Sequence, residues 1–305
     1  MSESYIEANG IRLAYEEFGD PSKPAVLLIM GLGTQMIAWP EIFCRGLAER
    51  GYRVIRFDNR DIGLSQKMVG SRAPAILKLL AYQRLNWDIE VPYTLHDMAL
   101  DAIGLLDSLG IARAHIIGAS MGGMIAQLVA GEHPERTLSL VSIMSTSGHK
   151  SLPSPDLKVA RQLLQRPRGG DRQALLEHSM RTLRLIGSPD YQPSDEELRA
   201  KVVASSSRSY YPAGFLRHMA AISASGDRVE TLKKITARTL VIHGKDDVLV
   251  PVSGGIDTAK YIKGSQLELI KGMGHDFPLP LMPHFVELIA DHLDAAAGVV
   301  DTSPA

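Results

Sequence analysis

Apolar residues along this chain fall in short, nearly unbroken runs, separated by longer stretches with helical spacing. Ala25–Met30 (AVLLIM), Tyr52–Phe57 (YRVIRF), Ala114–Gly118 (AHIIG), Leu138–Ile143 (LSLVSI) and Thr239–His243 (TLVIH) are the clearest. Runs this short, with little polar alternation, predict parallel strands covered on both faces. Between them the spacing predicts helices. One covers Tyr93–Leu109, entering after Pro92 with Thr94 as N-cap and stopping before Gly110. Another, Met121–Glu132, follows the strand Ala114–Gly118 directly. Such alternation predicts an α/β fold, with a mostly parallel central sheet, right-handed crossovers and helices on both faces.

Two stretches depart from that rhythm. Residues 66–92 carry an apolar segment, Ala75–Tyr82, where a tight strand–helix connection would suffice. It has two readings: a helix packed under a cap, or a segment that lines the mouth of a substrate pocket or touches a lipid-like substrate. Residues 147–236 contain no clear strand, and Pro153, Pro155, Pro167, Pro189, Pro193 and Pro212 punctuate their helical patterns. This predicts a helical cap at 147–236 inserted into one core made of residues 1–146 and 237–294. The small, polar residues 295–305 predict a disordered tail.

Composition narrows the function classes. The 33 Lys and Arg against 34 Asp and Glu give a net charge of -1, no electrostatic footprint for nucleic acid or an anionic membrane. A single cysteine, Cys44, excludes an intramolecular disulfide framework and any Cys-rich zinc site. The opening residues carry acid early, at Glu3, and lack the apolar core of a signal peptide; no run reaches the length of a bilayer span. A soluble cytoplasmic protein with no integral membrane segment is expected. Gly31-Leu32-Gly33 hints at a dinucleotide loop, but Met36 occupies the third glycine position. No phosphate-binding loop and no His/Asp/Glu set with metal spacing is present, so neither cofactor nor metal is expected.

Chemistry concentrates at Gly118-Ala119-Ser120-Met121-Gly122-Gly123, where a predicted strand meets a predicted helix. A serine held there sits on a sharp, strained turn above the sheet edge, and the small residues Gly118 and Gly122 let the chain fold around it. A serine hydroxyl is a weak nucleophile until a base takes its proton, and the base needs an orienting carboxylate. Downstream, the strand Thr239–His243 leads to Asp246-Asp247, and the run Leu267–Ile270 leads to Gly274-His275. Each lies in a loop at the C-terminal end of a strand, where open α/β sheets bind ligands. The loop after Leu138–Ile143 reads Met144-Ser145-Thr146-Ser147 and offers no acid, which leaves the 246–247 pair. For the oxyanion, the backbone N–H of Met121 is one expected donor and that of Leu32, in the glycine-containing loop after Ala25–Met30, the other.

With these residues in place the chain resembles the α/β-hydrolase family from about Tyr5 to Leu293. Asp58-Asn59-Arg60-Asp61-Ile62-Gly63-Leu64-Ser65 is similar to the family's D-x-R-x-x-G-x-S turn. Gly244-Lys245-Asp246-Asp247 with Pro251 looks like its acid loop, which selects Asp247, and Gly274-His275 looks like its G-H motif. Within the family the resemblance is strongest to aclacinomycin-methylesterase-like carboxylesterases. It implies an α/β-hydrolase fold and a Ser120–His275–Asp247 triad that cleaves carboxylic esters through an acyl-enzyme, with a small-molecule ester as partner. One departure is Met30, where many relatives carry histidine before the oxyanion glycine. The same triad also serves cofactor-free perhydrolases, enol-lactonases and C–C bond hydrolases, and a ligand receptor on a hydrolase scaffold is a further alternative. Dehalogenases and epoxide hydrolases use aspartate where this chain has Ser120. Asp58, Arg60 and Asp61 read as an ion-paired turn; Arg217, His218, Tyr210 and Tyr211 are the insertion's candidates for facing the pocket.

Overall fold

A computed structural model describes residues 3–74, 90–165 and 172–300, with side chains to Ala296. Eight strands form one sheet: β1 (Ser4–Ala8), β2 (Ile11–Phe18), β3 (Ala25–Ile29), β4 (Arg53–Phe57), β5 (Ala114–Ala119), β6 (Thr137–Ile143), β7 (Arg238–Gly244) and β8 (Gln266–Ile270). Their spatial order is β1-β2-β4-β3-β5-β6-β7-β8. The hairpin of β1 and β2 turns on Asn9-Gly10, both in the left-handed region, and pairs antiparallel with β4. Every other pairing is parallel.

Alternation along the central strands divides the core into two layers. Leu27, Ile29, Ile116 and Leu140 face one side, and Val26, Leu28, Ile117 and Val141 the other. On the first side lie α2 (Leu95–Ser108) and α3 (Met121–Glu132). The expected N-cap of α2 is present as a capping box, Thr94 with Asp97. Helix α3 is buried all round, from Met121 through Gly131, as a helix wedged between a sheet and other helices must be. On the second side lie α1 (Glu41–Glu49) and α10 (Met282–Val300), which contribute Phe43, Cys44 and Leu47, and Met282, Phe285, Ile289 and Leu293.

Chain order reverses between β3 and β5, which pair through Ile29 and Gly118, so the crevice above their C-terminal ends is a topological switch point. Between β6 and β7 the described residues form α4 (Leu157–Leu164), α5 (Arg172–Ile186), α6 (Asp195–Arg208), α7 (Pro212–Ser225) and the single turn α8 (Val229–Leu232), with no strand among them. After β7 comes α9 (Ser253–Tyr261). The apolar segment Ala75–Tyr82 lies outside the described residues. Helix α10 continues to Val300, beyond Ala295 where the tail was expected to begin; residues 301–305 lie outside the described residues. No helix among the described residues is long and apolar enough to cross a membrane.

Candidate active site

Ser120 stands between β5 and α3 with φ 55° and ψ −120°. A non-glycine residue in that region costs roughly 1–3 kcal/mol, so its neighbours must hold it there. Its N–H donates to the carbonyl of Ile143, and its own carbonyl accepts from Gly123 N–H and from the Ser145 hydroxyl. The flanking glycines are needed for space: a methyl group on Gly118 would strike the Gly122 carbonyl, and one on Gly122 the carbonyl of Ile29. The backbone is folded too tightly there for a side chain.

The two downstream residues meet this hydroxyl. Ser120 Oγ donates to Nε2 of His275 at 2.9 Å, and Nδ1 of His275 donates to Oδ2 of Asp247 at 2.7 Å. The other oxygen of Asp247 accepts from the N–H groups of Leu249 and Val250. Burial opposes ionisation of Asp247, but the electrostatic attraction of His275, the neighbouring His243 ring, and hydrogen bonds from His275 and the Val250 N–H outweigh it. They hold the carboxyl well below the ordinary carboxylate range. The neighbouring Asp246 is exposed and accepts from Gly272 N–H, so the structure brings Asp247 and not Asp246 to the imidazole.

The loop after β3 passes directly over the serine. A methyl group on Gly31 would lie 3.1 Å from Cβ of Ser120. No hydrogen bond among the described residues takes the N–H of Leu32 or of Met121, which leaves both expected donors free. The Asp58–Ser65 turn anchors the loop at both ends. Asn59 donates to the carbonyl of Met30, and Asp58 accepts from the N–H of Met36. The turn is itself locked by buried ion pairs: Asp58 with Arg208, Arg60 with Asp101, and Asp61 with both arms of Arg217. This is the ion-paired turn the motif suggested. Arg217 is occupied there, its guanidinium also reaching the Tyr211 hydroxyl, while Tyr210 is exposed.

Three contributions lie outside the motifs. His243, buried in β7, donates through Nε2 to the carbonyl of Val250 and lies 3.5 Å from Asp247. The segment after α5 grips the histidine loop. His275 N–H donates to the Ile186 carbonyl, Gly274 N–H to the Ser188 hydroxyl, and that hydroxyl and its own N–H to Asp276. His218 of α7 accepts from the N–H of Gly33 in the loop after β3. Sequence carries no local signal for any of these, since each joins residues remote in the chain or polar groups that look ordinary. Cys44 is fully buried, and burial pushes its thiol up to about 12.

The fold and this constellation define a class. The profile of the alpha/beta hydrolase fold family matches residues 24–279, and the chain belongs to that family. Among curated proteins it is similar to a rhodomycin D methylesterase of Streptomyces sp. (strain C5), 29% identical across 97% of this chain and 99% of the relative. Among solved structures it is similar to a meta-cleavage product hydrolase from Pseudomonas fluorescens IP01, with a TM-score of 0.76 and 22% identity over 96% of this chain and 98% of the other. An enol-lactonase from Burkholderia xenovorans LB400 follows at a TM-score of 0.74 and 24% identity, covering 95% and 100%. These two likenesses are of fold. The family read from the sequence motifs is thus the family found.

Proposed function

We propose that this protein is a cytoplasmic serine hydrolase of carboxylic esters, with Ser120 as nucleophile, His275 as general base and acid, and Asp247 as the orienting carboxylate. The observation that carries the reading is the continuous relay from Ser120 Oγ through His275 to Asp247, at 2.9 and 2.7 Å, beside two unengaged backbone N–H groups. Ser120 attacks the ester carbonyl as its proton passes to Nε2 of His275. The N–H groups of Leu32 and Met121 receive the developing oxyanion. Collapse expels the alcohol, protonated from His275, and leaves an acyl-enzyme. Water, deprotonated by the same imidazole, then adds to the acyl carbon and releases the acid. Asp247, kept ionised, fixes the Nδ1–H tautomer and steadies the imidazolium. No step calls on a cofactor.

Residues 147–236 are read as the cap over this site and as the source of substrate preference. The near full-length similarity to a methylesterase supports a methyl ester of a larger acid as the substrate class. The test is a series of methyl and p-nitrophenyl esters under steady-state conditions, with a fluorophosphonate label mapped by mass spectrometry. Many turnovers and a label on Ser120 are expected, and Ser120→Ala should lower kcat by about 10⁶, the scale of nucleophile loss in other triads. A burst that stalls after one turnover would favour a receptor. Full activity in Ser120→Ala would overturn the assignment.

A further inference from the structure

Helix α7 sends two side chains onto the oxyanion loop: Phe215, packed where Gly33 would carry a side chain, and His218. His218 is completely buried and takes no part in the relay. Its Nε2 lies 2.8 Å from the carbonyl oxygen of Arg60, and its Nδ1 3.3 Å from the backbone nitrogen of Gly33. These partners dictate the state of the ring. A carbonyl oxygen only accepts, so Nε2 must carry the proton; a peptide N–H only donates, so Nδ1 must carry the lone pair. An imidazolium would set N–H against N–H. Burial acts in the same direction and pushes His218 down to about 4, against the smaller upward pulls of the Arg60 carbonyl and Asp61 and with the help of Arg217 and Arg60.

The position of that contact gives it a consequence. The Asp58–Ser65 turn holds the oxyanion loop at Met30 and Met36. Between those anchors Gly33, at φ 65°, has no side chain to resist rotation. The Leu32 carbonyl also accepts from the Thr34 hydroxyl, and because the segment is pinned at Met30 and Met36, a rotation of the peptide joining Leu32 to Gly33 must be taken up by its neighbours, among them the peptide that carries the Leu32 N–H. We propose that His218 is a positioning residue for the oxyanion hole: as the neutral Nε2–H tautomer it ties Gly33 to the Arg60 carbonyl and thereby aims the N–H of Leu32 at the oxyanion. This rests on the ester-hydrolase reading given above. Helix α7 of the insertion, and not the core alone, then completes the hole.

A near-isosteric pair of variants isolates the hydrogen bond from the volume. His218→Leu and His218→Asn leave similar cavities, but only asparagine keeps an acceptor at the δ position for Gly33 N–H. Deleting an oxyanion donor outright costs about 10²–10³ in kcat, so misaiming one should cost roughly 10–10². His218→Leu is expected to lose that factor in kcat with KM within about twofold, and His218→Asn to recover most of it. The inhibition constant of a trifluoromethyl ketone, which Ser120 converts to a tetrahedral oxyanion, should weaken in parallel with kcat. Equal kcat in the two variants, or a loss shared evenly with KM and absent from the ketone, overturns the proposal. On the wild-type protein, imidazole ¹⁵N spectra at pH 7 should report a protonated Nε2 and a bare Nδ1 for His218; the other tautomer or the cation overturns it without any variant. Ser120→Ala assayed alongside separates the two levels: full activity there removes the parent reading, whereas its inactivity combined with equal Leu and Asn variants removes this proposal alone.

Discussion

Ser188 is the sharpest place to ask whether the residues between β6 and β7 are mere cover. The side chain is fully buried, and its hydroxyl makes two bonds, donating to Asp276 and accepting from the N–H of Gly274 at 2.9 Å. Ser188→Ala removes both while changing the volume by a single oxygen. Gly274 N–H is left without a partner. Asp276, which burial pushes above the usual carboxylate range and Ser188 pulls back, keeps among the described residues only the Ser188 N–H at 3.1 Å. An unsatisfied buried group costs about 1–3 kcal/mol. One such group in full and a second in part give about 2–4 kcal/mol. In a chain of this size each kcal/mol lowers Tm by roughly 2–4 °C, so a drop of roughly 4–16 °C is expected in a thermal melt. Activity should suffer separately. His275 is hung by its own N–H from Ile186, two residues upstream of Ser188, and a shift of about 1 Å in a reacting group can cost 10²-fold. Saturating-substrate kinetics well below the melt should therefore show kcat down about 10- to 100-fold with KM little changed. A variant that melts early yet turns over at the wild-type rate would refute the reasoning, because the histidine loop would then stand without its grip.

Other expectations follow from the same geometry. Asp247→Asn should lower kcat by about 10⁴ by favouring the wrong imidazole tautomer, whereas Asp246→Asn, whose exposed carboxylate accepts from Gly272 N–H, should stay within a few-fold. Equal effects would mean the adjacent acids are interchangeable. Burial holds His115, His218 and His292 down to about 4, against an ordinary value of about 6.5. The unfolded chain therefore binds more protons between those values, so stability is complete above about pH 6.5 and falls as pH drops towards 4. Each group removes about 2 kcal/mol between pH 7 and 5. Urea midpoints at the two pH values measure the slope, and His292→Phe should flatten it by about a third. Arg217→Met strips Asp61 of a bidentate partner in a buried setting and should cost about 3–5 kcal/mol in urea unfolding, with Asp61→Asn relieving part of the loss. An additive double mutant would contradict that.

The central strands and the relay were legible because they depend on local rules. Fully covered parallel strands must be apolar runs, and β3 to β7 fall within a residue or so of the runs that predicted them. The elbow at Ser120 and the loops holding Asp247 and His275 announce themselves through glycines that the backbone needs. The hairpin of β1 and β2 follows a different rule. Its charged residues, Glu7, Arg12, Glu16 and Glu17, dilute the apolar signal, and only the Asn9-Gly10 pair marks the turn. The supports of the site were hidden for a deeper reason. Gly33 and His218 are 185 positions apart and Ser188 and Asp276 are 88, and nothing in either neighbourhood distinguishes these polar residues from surface ones. Arg217 and His218 stood among the candidates for the pocket; the structure gives them the work of holding backbone and turn instead.

Strands β6 and β7 pair directly from Ser139–Arg238 to Ile143–Ile242, so no rung of the sheet depends on the stretch of chain that separates them. Ser120, seated between β5 and α3, takes its backbone bonds from Ile143, Gly123 and Ser145, all before that stretch, while the loops around His275 and Gly33 take their bearings from Ile186, Ser188 and His218. Displacing that stretch would thus free the loops around the serine without breaking the backbone bonds that seat it.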